Sequence, residues 1–172
     1  RIVVTGSEST GKTGLAKQLA DHFDCPYSLE AARLYVEDHD CALTIDDLDP
    51  IATRQLELEE TAIRKAHNLV IHDTDLLSTL IYAQHYYGVS PEWITNTVME
   101  RTGDLYLLCD IDLPWAPDGL QRDRGSPEKR RTIHLQFVDM LENSGRRWAL
   151  IQGSGAARSE QAIRLIEHYL DS

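Results

Sequence analysis

Residues 6–13 read Gly-Ser-Glu-Ser-Thr-Gly-Lys-Thr and match G-x-x-x-x-G-K-[ST] at every fixed position. The β-branched run Ile2–Thr5 precedes them, and an amphipathic stretch from Lys12 to Phe23 follows, with Leu15, Ala16, Leu19 and Phe23 at helical spacing. A strand before and a helix after distinguish this pattern from a chance glycine-rich turn. Gly6 and Gly11 allow backbone angles closed to other residues. Successive amides can then turn inward as an anion-binding nest, and the helix N-terminus adds partial positive charge. Nucleotide phosphates are therefore assigned to Gly6, Ser7, Glu8, Ser9, Thr10, Gly11, Lys12 and Thr13, with Gly14 outside the run. Lys12 is expected at the β- and γ-phosphates and the Thr13 hydroxyl at Mg²⁺, which makes ATP and Mg²⁺ the expected cofactors.

The rest of the chain repeats the same alternation. Short apolar runs at Pro26–Leu29, Leu69–His72, Leu105–Cys109 and Trp148–Gln152 read as further strands. Longer amphipathic stretches at Thr44–Asn68, Leu76–Tyr87, Pro91–Arg101, Glu128–Asn143 and Ala156–Leu170 read as helices. Strands alternating with helices imply a mainly parallel sheet covered on both faces. The expected fold class is α/β: a P-loop NTPase three-layer α/β/α sandwich of about five strands. Residues 1–172 suit one domain. The segment around 113–131, rich in proline, glycine and charge, is expected to be lid-like. The chain opens on Arg1 rather than Met, so an upstream region and a fused domain in a larger parent are expected possibilities.

Charge narrows the partners. The net charge is −11, and an acidic chain is a poor match for a nucleic-acid backbone. Any bound phosphate must be held by local donors. No apolar stretch is long enough for a membrane span. Three scattered cysteines argue against a disulfide framework and against a zinc site, so a cytoplasmic setting is expected. A small-molecule partner remains, with neither nucleic acid nor membrane.

A phosphate loop identifies a nucleotide, not a reaction. The Asn-Lys-x-Asp base reader of GTPases and the Ser-Gly-Gly-Gln run of transporter ATPases are both absent from the sequence. Small-molecule kinases need cations that close over the transferred phosphoryl group. Arg122, Arg124, Arg130 and Arg131 cluster after the fourth strand beside Gly119 and Gly125. Arg122 and Arg124 are the expected closing cations, because Arg130 and Arg131 fall on a helix where they can cap or pair. Ligands of open parallel sheets lie beyond the strands' carboxyl ends, where Glu30, Asp73, Asp75, Asp110 and Asp112 fall. Asp73 is expected to hold Mg²⁺, accept the substrate proton, or both, and Asp75 to cap the next helix. Glu30 and Arg33 form an ion pair at helical spacing or contact substrate; the sequence leaves both open.

Several runs resemble the ribosylnicotinamide kinase domain of the NadR-type NAD-biosynthesis proteins, within a wider AAA-like ATPase family. They are the phosphate loop, Glu30-Ala-Ala-Arg33-Leu-Tyr-Val-Glu, Leu43-Thr-Ile-Asp-Asp, His72-Asp-Thr-Asp-Leu-Leu-Ser-Thr and Leu113-Pro-Trp115-Ala-Pro-Asp118-Gly119-Leu. The resemblance implies ATP-dependent phosphorylation of nicotinamide riboside to its mononucleotide in an aromatic, acidic pocket. Carried over, Trp115 stacks on the base, Asp118 and Glu30 make polar contacts, and Arg33 is a ligand or loop anchor. The family's Trp-Glu-Tyr-Gly-Arg run reads Leu29-Glu-Ala-Ala-Arg33 here. Tyr35, Tyr82, Tyr86 and Tyr87 are further aromatic candidates, although Tyr82 and Tyr86 sit at the spacing of a core-facing helix. Gly153-Ser-Gly155 is either a plain turn or a neighbour of the adenine. Two alternatives stand beside the kinase: a nucleotide-sensing regulatory module, and a kinase of another nucleoside.

Overall fold

The computed structural model describes residues 1–39, 42–101, 103–115 and 126–171. Its strands are β1 (Ile2–Thr5), β2 (Tyr27–Ser28), β3 (Ile71–Asp73), β4 (Leu105–Cys109) and β5 (Trp148–Ile151). The helices are α1 (Lys12–Phe23), α2 (Ala31–His39), α3 (Leu48–Lys65), α4 (Leu76–Tyr87), α5 (Glu92–Glu100), α6 (Pro127–Asn143) and α7 (Gly155–Leu170). The strands form one parallel sheet in the order β2-β3-β1-β4-β5. β1 lies in the middle, with Val4 beside Asp73 of β3 and Leu107 of β4.

Period-two alternation sorts the core into two layers. Ile2, Val4, Leu105, Leu107 and Cys109 point to one face, where Leu15, Leu19, Ala162 and Ile166 of α1 and α7 cover them. Val3, Tyr106 and Leu108 point to the other, against Leu77, Ile81, Ile94, Ile133 and Phe137 of α4, α5 and α6. The expected three-layer α/β/α sandwich is the observed one. Among the described residues no helix is long and apolar enough to cross a membrane.

Boundaries differ from expectation where local chemistry intervenes. The stretch 44–68 is not one helix. Asp47 accepts hydrogen bonds from the Thr44 amide and hydroxyl at 2.7 and 2.8 Å, and holds a 3₁₀ turn, Ile45–Asp47, ahead of α3. The strand expected at Leu69–His72 starts later and runs on to Asp73, while that at Pro26–Leu29 shortens to two residues. α2 is an addition to the expected elements; only Ala31 and Val36 of its nine residues are buried, so its apolar periodicity is faint. Within the lid-like segment 113–131, Pro127 to Arg131 are the opening of α6, capped by the Ser126 hydroxyl. Positions 116–125 lie outside the described residues.

A buried polar cluster sits between α3 and the sheet. Burial and the charge of Asp75 raise the Glu59 carboxyl from the usual 4.5 to about 8. Folded Glu59 thus keeps its proton over a range where the unfolded chain has lost it, so stability falls as pH rises through that window. Urea unfolding of the wild type is expected to show declining stability between pH 5 and 8, and Glu59→Gln to flatten that decline.

Candidate active site: a phosphate loop beside an acidic, aromatic cavity

The phosphate loop leaves β1 at Gly6, whose φ is 133°, and enters α1 at Gly11, whose φ is 76°. A Cβ at Gly6 would stand 2.9 Å from the Cys109 carbonyl oxygen, so backbone packs directly on backbone. Inside the loop the Thr10 hydroxyl donates to the Ser7 carbonyl at 2.7 Å, and the Lys12 ammonium donates to the same oxygen at 2.8 Å. The cradle is lined by Ser9 to Gly14 and by Arg33 of α2. Arg33 thus faces the phosphate side, with its Nε 3.9 Å from Glu30 Oε2.

Arg158 of α7 braces the loop from behind. It is 4% exposed. Its guanidinium donates to the Thr10 carbonyl at 3.0 Å, the Gly153 carbonyl at 2.6 Å and Asp112 at 2.8 Å. Asp112 in turn accepts the Gly153 amide at 2.5 Å. The Gly153 turn and the end of β4 are therefore joined to the phosphate loop through one side chain. Sequence reasoning missed Arg158, since a lone arginine on a polar helix carries no motif.

Asp73 ends β3 beside the loop and is 1% exposed. Burial first, then the charge of Glu30, raises its carboxyl to about 6, against the pull of the nearby Thr13 hydroxyl, Lys12 and Arg33. Neither oxygen accepts a hydrogen bond of ordinary geometry among the described residues. A buried carboxylate beside a threonine hydroxyl is a hard-oxygen donor pair. It suits Mg²⁺, which takes one or two protein oxygens and completes its shell with phosphates and water. Thr74 follows with φ 65°. Asp75 then caps α4 by accepting the Leu77 amide at 3.1 Å and also accepts the Tyr106 hydroxyl at 2.8 Å, as its expected capping role requires.

On the far side of Glu8 and Glu30 opens a cavity walled by α3 and α4, with Gln55, Tyr82, Tyr86 and Tyr87 among its lining. Tyr82 and Tyr86 present parallel rings 6.0 Å apart. Tyr87 donates to the Leu43 carbonyl at 2.9 Å. These tyrosines wall a cavity, whereas Tyr35 donates to Asp47 and stacks on His39 outside it. Gln55 connects the loops after β2 and β3: its oxygen takes the Ala31 amide at 2.9 Å, and its nitrogen reaches Glu59 at 3.2 Å and the Thr74 carbonyl at 3.4 Å. Trp115 is half-buried and does not belong to this lining. Asp118, Arg122 and Arg124 lie outside the described residues. Arg130, expected to cap or pair, is buried and donates to the Leu113 carbonyl at 2.9 Å.

Comparison with known proteins fits this arrangement. The model of a family described as an AAA domain matches residues 1–158. The chain belongs to this family. It is 31% identical over 147 residues to the trifunctional NAD biosynthesis/regulator protein NadR of Escherichia coli, covering 83% of this chain and 36% of that protein. NadR of Salmonella typhimurium is 30% identical over the same shares. The chain thus spans about a third of the length of these curated relatives. A crystal structure of NadR with NAD and AMP-PNP superposes with a TM-score of 0.80 at 26% identity, covering 98% of this chain and 48% of that one. A NadR structure with NR gives 0.81 at 25% identity, covering 99% and 51%. The AAA domain described here is accordingly similar in sequence and fold to part of NadR. Its fold is shared with a deoxyadenosine kinase from M. mycoides, at a TM-score of 0.67 and 13% identity over 96% of this chain and 98% of that one.

Removing the Arg158 brace takes a donor from the Thr10 and Gly153 carbonyls and leaves Asp112 with the Gly153 amide alone. Arg158→Ala is expected to lower unfolding free energy by about 2 kcal/mol, the scale for leaving a buried carbonyl without its donor. It should also weaken binding of an ATP analogue, read by calorimetry.

Proposed function

We propose that this domain transfers the γ-phosphoryl group of ATP to a primary hydroxyl of a small nucleoside, with nicotinamide riboside as the acceptor and nicotinamide mononucleotide as the product. The observation that carries this reading is adjacency. Glu8 lines the aromatic cavity while the next residues, Ser9 to Thr13, line the phosphate cradle. A molecule in the cavity therefore lies next to a triphosphate in the loop. The cavity's character supports the acceptor class: its described lining holds two carboxylates and three tyrosines and no lysine or arginine. Such a lining disfavours an anionic acceptor and favours a cationic ring, which an aromatic face stabilises by roughly 0.5–2 kcal/mol. The NadR relatives are named for NAD biosynthesis, and one NadR structure contains NR.

In this mechanism Lys12 balances the β- and γ-phosphate charge, and the loop amides hold the phosphate oxygens. Arg33 adds a cation at the cradle's edge, and Arg122 and Arg124 close over the transferring group. Thr13 and Asp73 are the groups suited to Mg²⁺, which when bound draws charge from the phosphate oxygens. Asp73 also receives the acceptor's hydroxyl proton, directly or through a water. Glu30, which lines the cavity, orients the nucleoside together with Asp118, whereas Trp115 stands outside the cavity lining. A cytoplasmic location, and a longer parent in which this domain is fused to others, complete the reading.

Incubation with ATP, Mg²⁺ and nicotinamide riboside is expected to yield the mononucleotide by mass spectrometry. Lys12→Ala and Asp73→Asn should each reduce kcat by roughly 10²-fold or more. A wild type that binds ATP yet forms no more product than Lys12→Ala would remove the nicotinamide riboside assignment and leave a kinase of another nucleoside or a nucleotide-binding regulatory module.

A further inference from the structure

Glu8 belongs to the phosphate loop by sequence, but its side chain does not serve the cradle. It turns to the other side of the loop, into the cavity of Gln55, Tyr82 and Tyr86. The residue is 4% exposed. One carboxylate oxygen, Oε2, accepts the Tyr82 hydroxyl at 3.2 Å. The other, Oε1, is buried and has no hydrogen-bond partner among the described residues. A buried carboxylate oxygen without a donor carries a desolvation cost that a hydrogen bond would relieve. Arg130 lies close enough to feel the Glu8 charge, but its guanidinium donates to the Leu113 carbonyl, and it does not line the cavity.

We propose that Glu8 is a specificity-determining residue for the acceptor: its free oxygen accepts a hydrogen bond from a secondary hydroxyl of the acceptor's sugar. The phosphate loop then serves both substrates, holding phosphate with its amides and reading the sugar with one side chain. The tyrosine hydroxyl holds Oε2, and Oε1, buried as it stands, meets the sugar after a small rotation of the carboxylate. This rests on the reading that the cavity holds the acceptor.

The test pairs a protein change with a ligand change. Acceptor kcat/KM is measured for nicotinamide riboside and its 2′-deoxy and 3′-deoxy forms, with wild type and Glu8→Ala, alongside the KM for ATP. In the wild type, loss of one of the two hydroxyls should cost roughly 10- to 100-fold, the range for a hydrogen bond to a charged group. Glu8→Ala should lose as much on the full riboside, become indifferent to that hydroxyl, and keep its ATP KM within about two-fold. If Glu8→Ala does not fold, Glu8→Gln carries the test, with a several-fold smaller discrimination expected because the charge is gone and the shape retained. The proposal is overturned if the variant lowers all three acceptors equally, or if ATP KM rises in step. A wild type inactive on all three ribosides sinks the nicotinamide riboside assignment. The same cycle is then read as calorimetric binding of adenosine and its 2′- and 3′-deoxy forms. Hydroxyl dependence that vanishes in Glu8→Ala sustains the Glu8 role, and its absence ends it.

Discussion

At Gly6 the chain leaves the central strand so close to the neighbouring Cys109 carbonyl that no side chain fits between them. Much of the site follows from that contact. It seats the phosphate loop over the carboxyl end of the sheet, between the ends of β3 and β4. Asp73 is thereby set on one side, and Asp110 and Asp112 on the other. Arg158 then fixes the loop from the β4 side by taking up the Thr10 carbonyl. An anion nest is only as good as the rigidity of its amides, and here that rigidity comes from one backbone contact and one buried guanidinium.

The electrostatics are local. Overall charge is −11, yet the cradle itself is edged by Lys12 and Arg33. Several acids lie buried in the fold, and Asp73, Asp75 and Glu59 all have carboxyl pKa values pushed upward by burial. Close-set acids in a dry setting resist ionising together. The chain tolerates them because the ends of Asp75 and Glu59 are taken up by Tyr106 and Gln55. Asp73 has only the nearby Thr13 hydroxyl.

The sequence made the sheet and the phosphate loop legible because both depend on local pattern: β-branched runs read as strands, and glycine spacing reads as a nest. Asp75 was readable as a cap for the same reason. α2 was not, since a short helix burying only Ala31 and Val36 leaves almost no periodic trace. Tyr82 and Tyr86 show the limit of periodicity. Helical spacing marks a face turned inward, but it does not distinguish packed core from a cavity wall. Arg158 and Gln55 act through contacts far away in sequence, 148 residues in the case of Arg158 and Thr10, and no window of neighbours reveals such a tie. Glu8 occupies a position that the motif leaves free, so the pattern does not indicate which way its side chain turns.

Gln55 reaches the first amide of α2 with its oxygen and the Thr74 carbonyl with its nitrogen, and it also borders the cavity. One planar amide group thus spans the segment bearing Glu30 and Arg33 and the segment bearing Asp73. A planar group cannot tilt at one end alone. Any displacement of it by an occupant is shared between both segments, so the two halves of the centre adjust as a single mechanical unit.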